Sequence, residues 1–278
     1  MNQPLPEFED PPVFEVALSV QFEPLATLKM AHIGELRRKY KDRFPNLEEH
    51  PPIDTATEVF DDSAMPFPMI RLRLHDYLPL HRSWFINEEN TRLVQIQRDR
   101  FVYNWRRADT GEPYPRYENV RKSFEDEYKI FESFLKKEEL GPLIPNQCEV
   151  TYVNPIAINE RIKGRGDLSE LVTVFEEHFS DDFLRVIEDV RLLMRFVMCN
   201  SEGTPLGRLY IGAEPVNRLE DPQVVMQLNL IGRGKPASPD SDGVIDMLNL
   251  CHDWIVRGFT SVTREPMHDI WRRIKNNG

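Results

Sequence analysis

Apolar and polar residues alternate along the chain from residue 14 to residue 22. The apolar members occupy the even positions Phe14, Val16, Leu18, Val20 and Phe22. A period of two is typical of a β-strand with one buried face. From about Thr27 the apolar spacing becomes helical, and it stops at Pro45. The pattern therefore predicts a strand followed by an amphipathic helix.

Strand-like runs follow a proline-rich passage, at residues 69–74, 83–86, 92–97 and 100–105. Polar, turn-forming residues separate the last three runs, which predicts an antiparallel meander. A broad apolar stripe with helical spacing then extends from Tyr117 to Leu135, and Gly141 and Pro142 follow it. This combination predicts a long helix and completes the order strand, helix, several strands, helix.

The second half repeats this order of elements. Strand patterns occur at 148–153, 190–198, 209–211 and 224–230, and helical spacing occurs from Leu168 to Phe179 and from Val244 to Ile255. We expect the second of these helices to end at Gly258 and Thr263 to be the N-cap of a short last helix.

A repeated order of elements indicates internal duplication. We therefore predict an α+β fold class with two similar β-α-β(3-4)-α units, residues 1–142 and residues 143–278, related by a pseudo-twofold axis. Their antiparallel sheets are expected to be covered by helices on one face. The other face is then exposed to solvent or available to a partner.

Composition narrows the class of protein. The 278 residues are 40% hydrophobic and carry a net charge of -11. This negative charge repels phosphate backbones, so nucleic acid is not an expected partner. The three cysteines show no metal-binding or disulfide spacing, and no apolar run is long enough to span a membrane. We therefore predict a cytoplasmic protein that has no metal, no cofactor and no contact with a membrane.

The most concentrated group of arginine and aromatic residues lies between residues 98 and 117. Arginine can neutralise an anion, and aromatic rings can stack on a planar group. The same residues could instead serve the fold, with the rings in the core and the arginines paired to nearby acids. We predict that ligand or partner binding involves Arg98, Arg100, Tyr103, Asn104, Trp105, Arg106, Arg116 and Tyr117.

Catalytic motifs are not evident, and we predict no catalytic residues. The sequence contains no phosphate-binding loop, GxSxG elbow or HExxH motif, and the glycine and basic residues at 163–166 and 232–235 are expected to form short turns. In the pairs His252–Asp253 and His268–Asp269 the side chains point about 100° apart on a helix, so neither is an orienting pair. The alternative is a hydrolase of a phosphate-bearing or nucleotide substrate that uses one of these histidines with a carboxylate from elsewhere.

Five blocks of sequence occur in the order PPVFEVALSVQFEPL, LVQIQRDRFVYNWR, YPRYE, CEVTYVNPI and CHDWIVRGFTSVT. In these blocks the chain resembles a sporadically distributed bacterial family of uncharacterised proteins with no assigned activity. The resemblance implies a bacterial cytosolic protein and supplies no catalytic residues. Its patchy distribution suggests an accessory role in defence or in a toxin and antidote system. We thus expect a homodimeric, non-enzymatic binding protein that recognises an anionic small molecule or a protein partner.

Overall fold

The computed structural model describes residues 4–60, 81–108, 112–157, 168–175, 181–217 and 224–274. Its helices are α1 (Met30–Tyr40), α2 (Tyr117–Lys137), α3 (Ser241–Val262) and α4 (Glu265–Ile270), and none of them is long and apolar enough to span a membrane. Its strands are β1 (Glu7–Phe8), β2 (Glu15–Phe22), β3 (Asn46–His50), β4 (Arg82–Ile86), β5 (Arg92–Gln97), β6 (Arg100–Arg106), β7 (Pro145–Ala157), β8 (Leu192–Cys199), β9 (Pro205–Asn217), β10 (Val224–Gly234) and β11 (Arg273–Ile274).

Nine of these strands form one antiparallel sheet in the order β3-β4-β5-β6-β2-β7-β10-β9-β8. Strands β1 and β11 pair separately, which ties the N-terminal segment to the end of the described chain. The predicted mixture of helices with antiparallel strands is confirmed, and so is the meander of β4, β5 and β6. The predicted strand at 69–74 lies outside the described residues.

The three longer helices pack against one face of the sheet. Side chains alternate along a strand, so the even-numbered residues of β2 point to this face, where Val16, Leu18 and Val20 are fully buried. The ring of Phe22 lies 6.1 Å from that of Phe131 in α2, measured between ring centroids. Burial of these apolar surfaces is the main favourable term in folding. The opposite face carries polar side chains such as Gln21.

Pairing of β2 with β7 joins the first half of the chain to the second. The predicted boundary between residues 142 and 143 falls in the connection between α2 and β7. Val16 pairs with Tyr152 and Val20 with Cys148, so the buried faces of the two halves are continuous. The division into two units stays a prediction.

The predicted helix from Leu168 to Phe179 is wrong for the residues that the structure describes. Residues 168–175 form turns. The amide of Thr173 donates to the carbonyl oxygen of Val262, and the amide of Arg264 donates to that of Leu171. The amides of Leu171 and Val172 form one turn by donating to Leu168, and the bonds to Val262 and Arg264 then tie the segment to the end of α3, so the turn does not continue as a helix. Because the described part of the second half lacks this helix, the duplicated units are not confirmed.

The end of α3 also differs from the prediction. The helix continues through Gly258 to Val262. A Cβ atom at Gly258 would lie 2.6 Å from Cδ2 of Leu209, so this glycine marks a close approach to β9. Thr263 is the C-cap of α3, with its hydroxyl donating to Phe259, and Arg264 is the N-cap of α4.

Gly232 lies in β10 directly beneath α3. The prediction of a short turn at 232–235 is wrong, because Gly232 and Gly234 are paired residues of a strand; residues 163–166 lie outside the described ranges. A Cβ atom at Gly232 would lie 2.8 Å from Cβ of Cys251 in α3. The close approach of helix and strand requires a residue without a side chain.

Replacement of Gly232 by alanine is expected to lower the free energy of unfolding by about 1–3 kcal/mol, because the added methyl overlaps Cys251 and forces α3 away from the sheet. Urea titration measures this change. Gly212→Ala in β9 is the matched control, since its added Cβ would lie 3.8 Å from the nearest atom, the carbonyl oxygen of Leu192. Equal losses in the two variants would contradict the close packing of α3 on β10.

Candidate functional site

A cavity of about 270 Å³ lies on the helix-covered side of the sheet. Its walls come from the N-terminal segment, the start of α2, strands β7 and β10, and α3. Most of the lining side chains are apolar or aromatic, as is usual for small-molecule sites. They are Leu5, Pro6, Glu7, Phe8, Pro11, Val13, Tyr114, Arg116, Tyr117, Glu118, Tyr152, Asn154, Leu230, His252, Ile255, Val256 and Phe259.

Three side chains form a chain of hydrogen bonds in the cavity wall. The hydroxyl of Tyr114 lies 2.9 Å from the hydroxyl of Tyr152, which in turn lies 3.0 Å from Nδ1 of His252. Tyr152 comes from β7 and His252 from α3, so the packing of helix on sheet creates this contact. Tyr117 stacks on the imidazole, with ring centroids 3.8 Å apart, and its hydroxyl donates to Asn249. The imidazole is therefore fixed in position and orientation.

Burial keeps the polar groups of this wall uncharged, because transfer of a charge out of water is costly. It lowers the pKa of His252 to about 3. It also raises the pKa values of Tyr114, Tyr117 and Tyr152 above their ordinary value. A neutral imidazole has one donor and one acceptor nitrogen. Nδ1 is engaged by Tyr152, and Nε2 has no hydrogen-bond partner among the described residues, so Nε2 is available to a ligand.

Arg116 lies at the rim of the cavity, just before α2. Its backbone has φ 71° and ψ 156°, a region that is almost restricted to glycine and costs about 1–3 kcal/mol for other residues. Its guanidinium donates to the carbonyl oxygens of Phe8, at 2.8 Å, and Glu9, at 3.5 Å. These bonds hold the N-terminal segment against the start of α2. Glu7 and Glu118 also line the cavity, so the rim carries both signs of charge.

Four of the predicted binding residues lie on the helix-covered side of the sheet. Tyr103 and Trp105 are buried in the core, at 2% and 1% exposure. Trp105 contacts Tyr114, with ring centroids 5.3 Å apart. Arg116 and Tyr117 line the cavity itself. The structure therefore brings Arg116 and Tyr117 together with a histidine, and it places the two β6 rings in the core.

The other four predicted residues lie away from the cavity. Arg98 belongs to the turn between β5 and β6. Arg100 and Asn104 are buried on the opposite face of the sheet, where Arg100 donates a 2.8 Å hydrogen bond to Gln21. Arg106 donates to a main-chain carbonyl oxygen in an exposed turn. The arginine and aromatic stretch thus contributes to both faces of the sheet and does not form one surface.

The pattern of the sequence does not predict Tyr114 or Tyr152 as site residues. Tyr152 occupies one of the alternating apolar positions of a strand, which is typical of a core residue. His252 is predicted only as part of the catalytic alternative. Only the packing of β7 against α3 reveals that these side chains meet in one wall.

The second histidine of that alternative, His268, links the last two helices. The hydroxyl of Thr263 donates to Phe259, so the hydrogen on Nε2 of His268 points to the Thr263 oxygen, 2.8 Å away. Burial, together with Arg273, lowers the pKa of His268. This arrangement fixes α4 on the end of α3.

Within the described ranges, no carboxylate is hydrogen-bonded to His252 or to His268. Among the same described residues, no group of three or more His, Cys, Asp or Glu side chains is arranged to hold a metal ion. The hydroxyl of Tyr152 is within reach of His252, but an imidazole with a pKa of about 3 is a weak base at neutral pH. In this wall the imidazole is a neutral hydrogen-bonding group held by Tyr152 and Tyr117.

Comparisons of this chain with protein-family models, with curated proteins and with solved structures find no match. The resemblance to a sporadically distributed bacterial family accordingly stays a prediction.

Proposed function

We propose that this chain is a non-enzymatic binding protein whose cavity takes an uncharged, mainly apolar molecule about the size of one or two aromatic rings. The observation that supports this proposal most strongly is the buried, neutral imidazole of His252, which Tyr152 and Tyr117 hold in the wall of a mainly apolar cavity. We further propose a cytoplasmic, bacterial and homodimeric protein, as expected from the sequence.

The volume of the cavity supports a ligand of this size. An engineered protein cavity of roughly 150 Å³ already admits benzene. The present cavity, at about 270 Å³, is larger. Apolar walls from Phe8, Ile255 and Phe259 would contribute most of the affinity by removing apolar surface from water.

The polar groups of the wall favour an uncharged ligand. A carboxylate or phosphate that loses its water needs an opposite charge in return. Arg116 is the cation at the rim, but Glu7 and Glu118 line the same cavity, and the groups farther inside are neutral. The anionic small molecule predicted from the sequence is therefore not favoured here. A single hydrogen bond to Nε2 of His252 would orient a ligand that carries a hydroxyl or an amide.

The hydrolase alternative stays a prediction. It requires a carboxylate beside the imidazole, and the described residues supply two tyrosines instead.

The proposal is tested with 2-naphthol as an uncharged probe and 2-naphthoate as its charged counterpart, by isothermal titration calorimetry. We expect 2-naphthol to bind and 2-naphthoate to bind at least tenfold more weakly, because the buried wall cannot compensate the lost hydration of a carboxylate. Val256→Trp, which fills the cavity from α3, should abolish binding. His252→Phe should weaken it up to about tenfold through loss of one hydrogen bond.

Arg106→Ala is the control variant, since Arg106 lies outside the cavity lining and should leave naphthol binding unchanged. Stronger binding of 2-naphthoate than of 2-naphthol would favour the anionic ligand instead. Undiminished binding of naphthol to Val256→Trp would contradict the assignment of the cavity.

A further inference from the structure

The polar face of the sheet is crossed by a segment of the chain's own backbone. Residues 51–60, which we name the crossing segment, lie over adjacent strands from β5 to β9. Six strands spaced about 4.8 Å apart span roughly 24 Å, and an extended chain covers about 23 Å between residues 53 and 60. The crossing segment therefore runs across the strands in an extended form and does not add to an edge of the sheet.

Three glutamines of the sheet bind the main chain of the crossing segment. Gln97 both accepts from the amide of Ile53 and donates to its carbonyl oxygen, each at 2.9 Å. Gln21 accepts from the amide of Ala56 at 2.9 Å, and Gln147 accepts from that of Glu58 at 3.4 Å. Main-chain contacts of this kind do not depend on the identity of the bound residues.

The register of the sheet places these glutamines in one row. Gln97 pairs with Arg100, Arg100 with Gln21, and Gln21 with Gln147. Arg100 adds a 3.0 Å hydrogen bond to the carbonyl oxygen of Asp54. Four neighbouring strands thus present one continuous row of amide and guanidinium groups, all of which are buried.

Glu58 is the side chain of the crossing segment that the sheet recognises by charge. Its side chain is 4% exposed, and its carboxylate is bound by Arg208, lies 3.5 Å from Nη1 of Arg233 and accepts a 2.7 Å hydrogen bond from Tyr210. Arginine pairs strongly with carboxylates because its planar fork offers several donors in fixed positions. The guanidinium of Arg208 also lies 4.3 Å from the ring centroid of Phe60. The recognised pattern is a glutamate followed two residues later by an aromatic residue.

The crossing segment leaves part of the row unsatisfied. The side-chain atoms Nε of Arg100 and Nε2 of Gln147 are buried without a hydrogen-bond partner in the described chain. The apolar side chains at its end, Val59 and Phe60, are 44% and 40% exposed. Little apolar surface therefore holds the crossing segment in place, and the sheet retains hydrogen-bonding capacity that the segment does not use.

We propose that this face of the sheet is a recognition surface for an extended, acidic segment of a partner protein, and that residues 51–60 occupy the surface in the free chain. The partner segment carries a glutamate for Arg208, Arg233 and Tyr210 and an aromatic residue two positions later. The partner segment binds by replacing the crossing segment. Its measured affinity therefore depends on the difference between the free energies with which the two segments bind the sheet. This surface is separate from the cavity, and its test does not depend on that site.

The experiment uses a fluorescent peptide with the sequence of residues 51–60, PPIDTATEVF, added to the full chain. In wild type the chain's own copy competes at high effective concentration. Glu58→Ala removes the ion pairs of that copy and leaves the sheet intact. Fluorescence anisotropy should show at least tenfold tighter binding of the peptide to Glu58→Ala than to wild type.

Three controls assign the effect to the charge contact. Thr57→Ala changes a neighbouring exposed residue and should behave as wild type. Glu58→Ala combined with Arg208→Ala should show no gain in affinity. A peptide in which glutamine replaces the glutamate should bind at least tenfold more weakly to Glu58→Ala.

Glu58→Gln is a more conservative second variant for the case that Glu58→Ala does not fold, since glutamine can still accept the hydrogen bond from Tyr210. Circular dichroism reports whether each variant is folded. The proposal is overturned if folded Glu58→Ala and Glu58→Gln gain no affinity for the peptide. It is equally overturned if the peptide binds regardless of its glutamate or of Arg208, because the face would then hold any polar segment.

Discussion

Replacement of Trp105 by alanine is expected to lower the free energy of unfolding by about 3–5 kcal/mol, the usual range for deletion of a large buried aromatic side chain. Trp105 is 1% exposed on the helix-covered face of β6 and packs against Tyr114. Its removal leaves a cavity that the surrounding rings can fill only in part. Chemical denaturation followed by circular dichroism measures the loss.

Arg106→Ala is the matched control for this experiment. Arg106 is the next residue of the same strand, points to the opposite face and makes its hydrogen bond in an exposed turn, so we expect a loss below about 1 kcal/mol. The pair also distinguishes the two roles that the sequence leaves open for Trp105. An unchanged free energy of unfolding in Trp105→Ala would mean that the ring is not part of the core and is free to stack on a ligand.

Lowering the pH from 7 to 4 is expected to remove about 3 kcal/mol of stability through His252 alone. Burial lowers the pKa of this imidazole from its ordinary 6.5 to about 3 in the folded chain. As the pH falls below 6.5, the unfolded chain binds the proton and the folded chain does not. The contribution is therefore fully present above pH 6.5 and is progressively lost as the pH falls toward 3.

The measurement compares wild type with His252→Gln in urea titrations at several pH values. Glutamine can still accept from Tyr152, and it does not titrate, so the stability difference between the two chains should shift by about 3 kcal/mol in favour of the variant at pH 4. Other groups titrate in both chains and cancel in the comparison. Parallel curves for the two chains would show that His252 is not buried in its neutral form.

The two candidate surfaces arise from the alternation of side chains in a single sheet. In β2 and β7 the even-numbered residues meet the helices, and Tyr152 reaches His252 on that side. The odd-numbered residues Gln21 and Gln147 point to the other side and hold the crossing segment. A helix cover on one face thus produces a partly open, mainly apolar cavity there, and the opposite face carries a row of polar groups over which the crossing segment lies.

Most strands and the long helices follow directly from the sequence. The alternation in β2 and the helical stripe of α2 each involve five or more apolar residues, and a pattern of that length is difficult to satisfy with another conformation. Shorter apolar patterns and polar stretches do not specify a strand or a helix in this way, because more than one conformation satisfies them. The polar edge strand β3 shows no alternation, and the apolar residues at 168–172 fill the core from turns.

The sequence by itself determined much of the apolar core and most of the elements that bury it, because hydrophobic periodicity is a local property of the chain. Only the tertiary structure decided which polar residues meet. Tyr152 and His252 are 100 positions apart, and Glu58 and Arg208 are 150 apart. Contacts over such separations depend on strand order and register, and one apolar pattern is compatible with many strand orders. The candidate sites therefore emerge only when the sheet has been assembled.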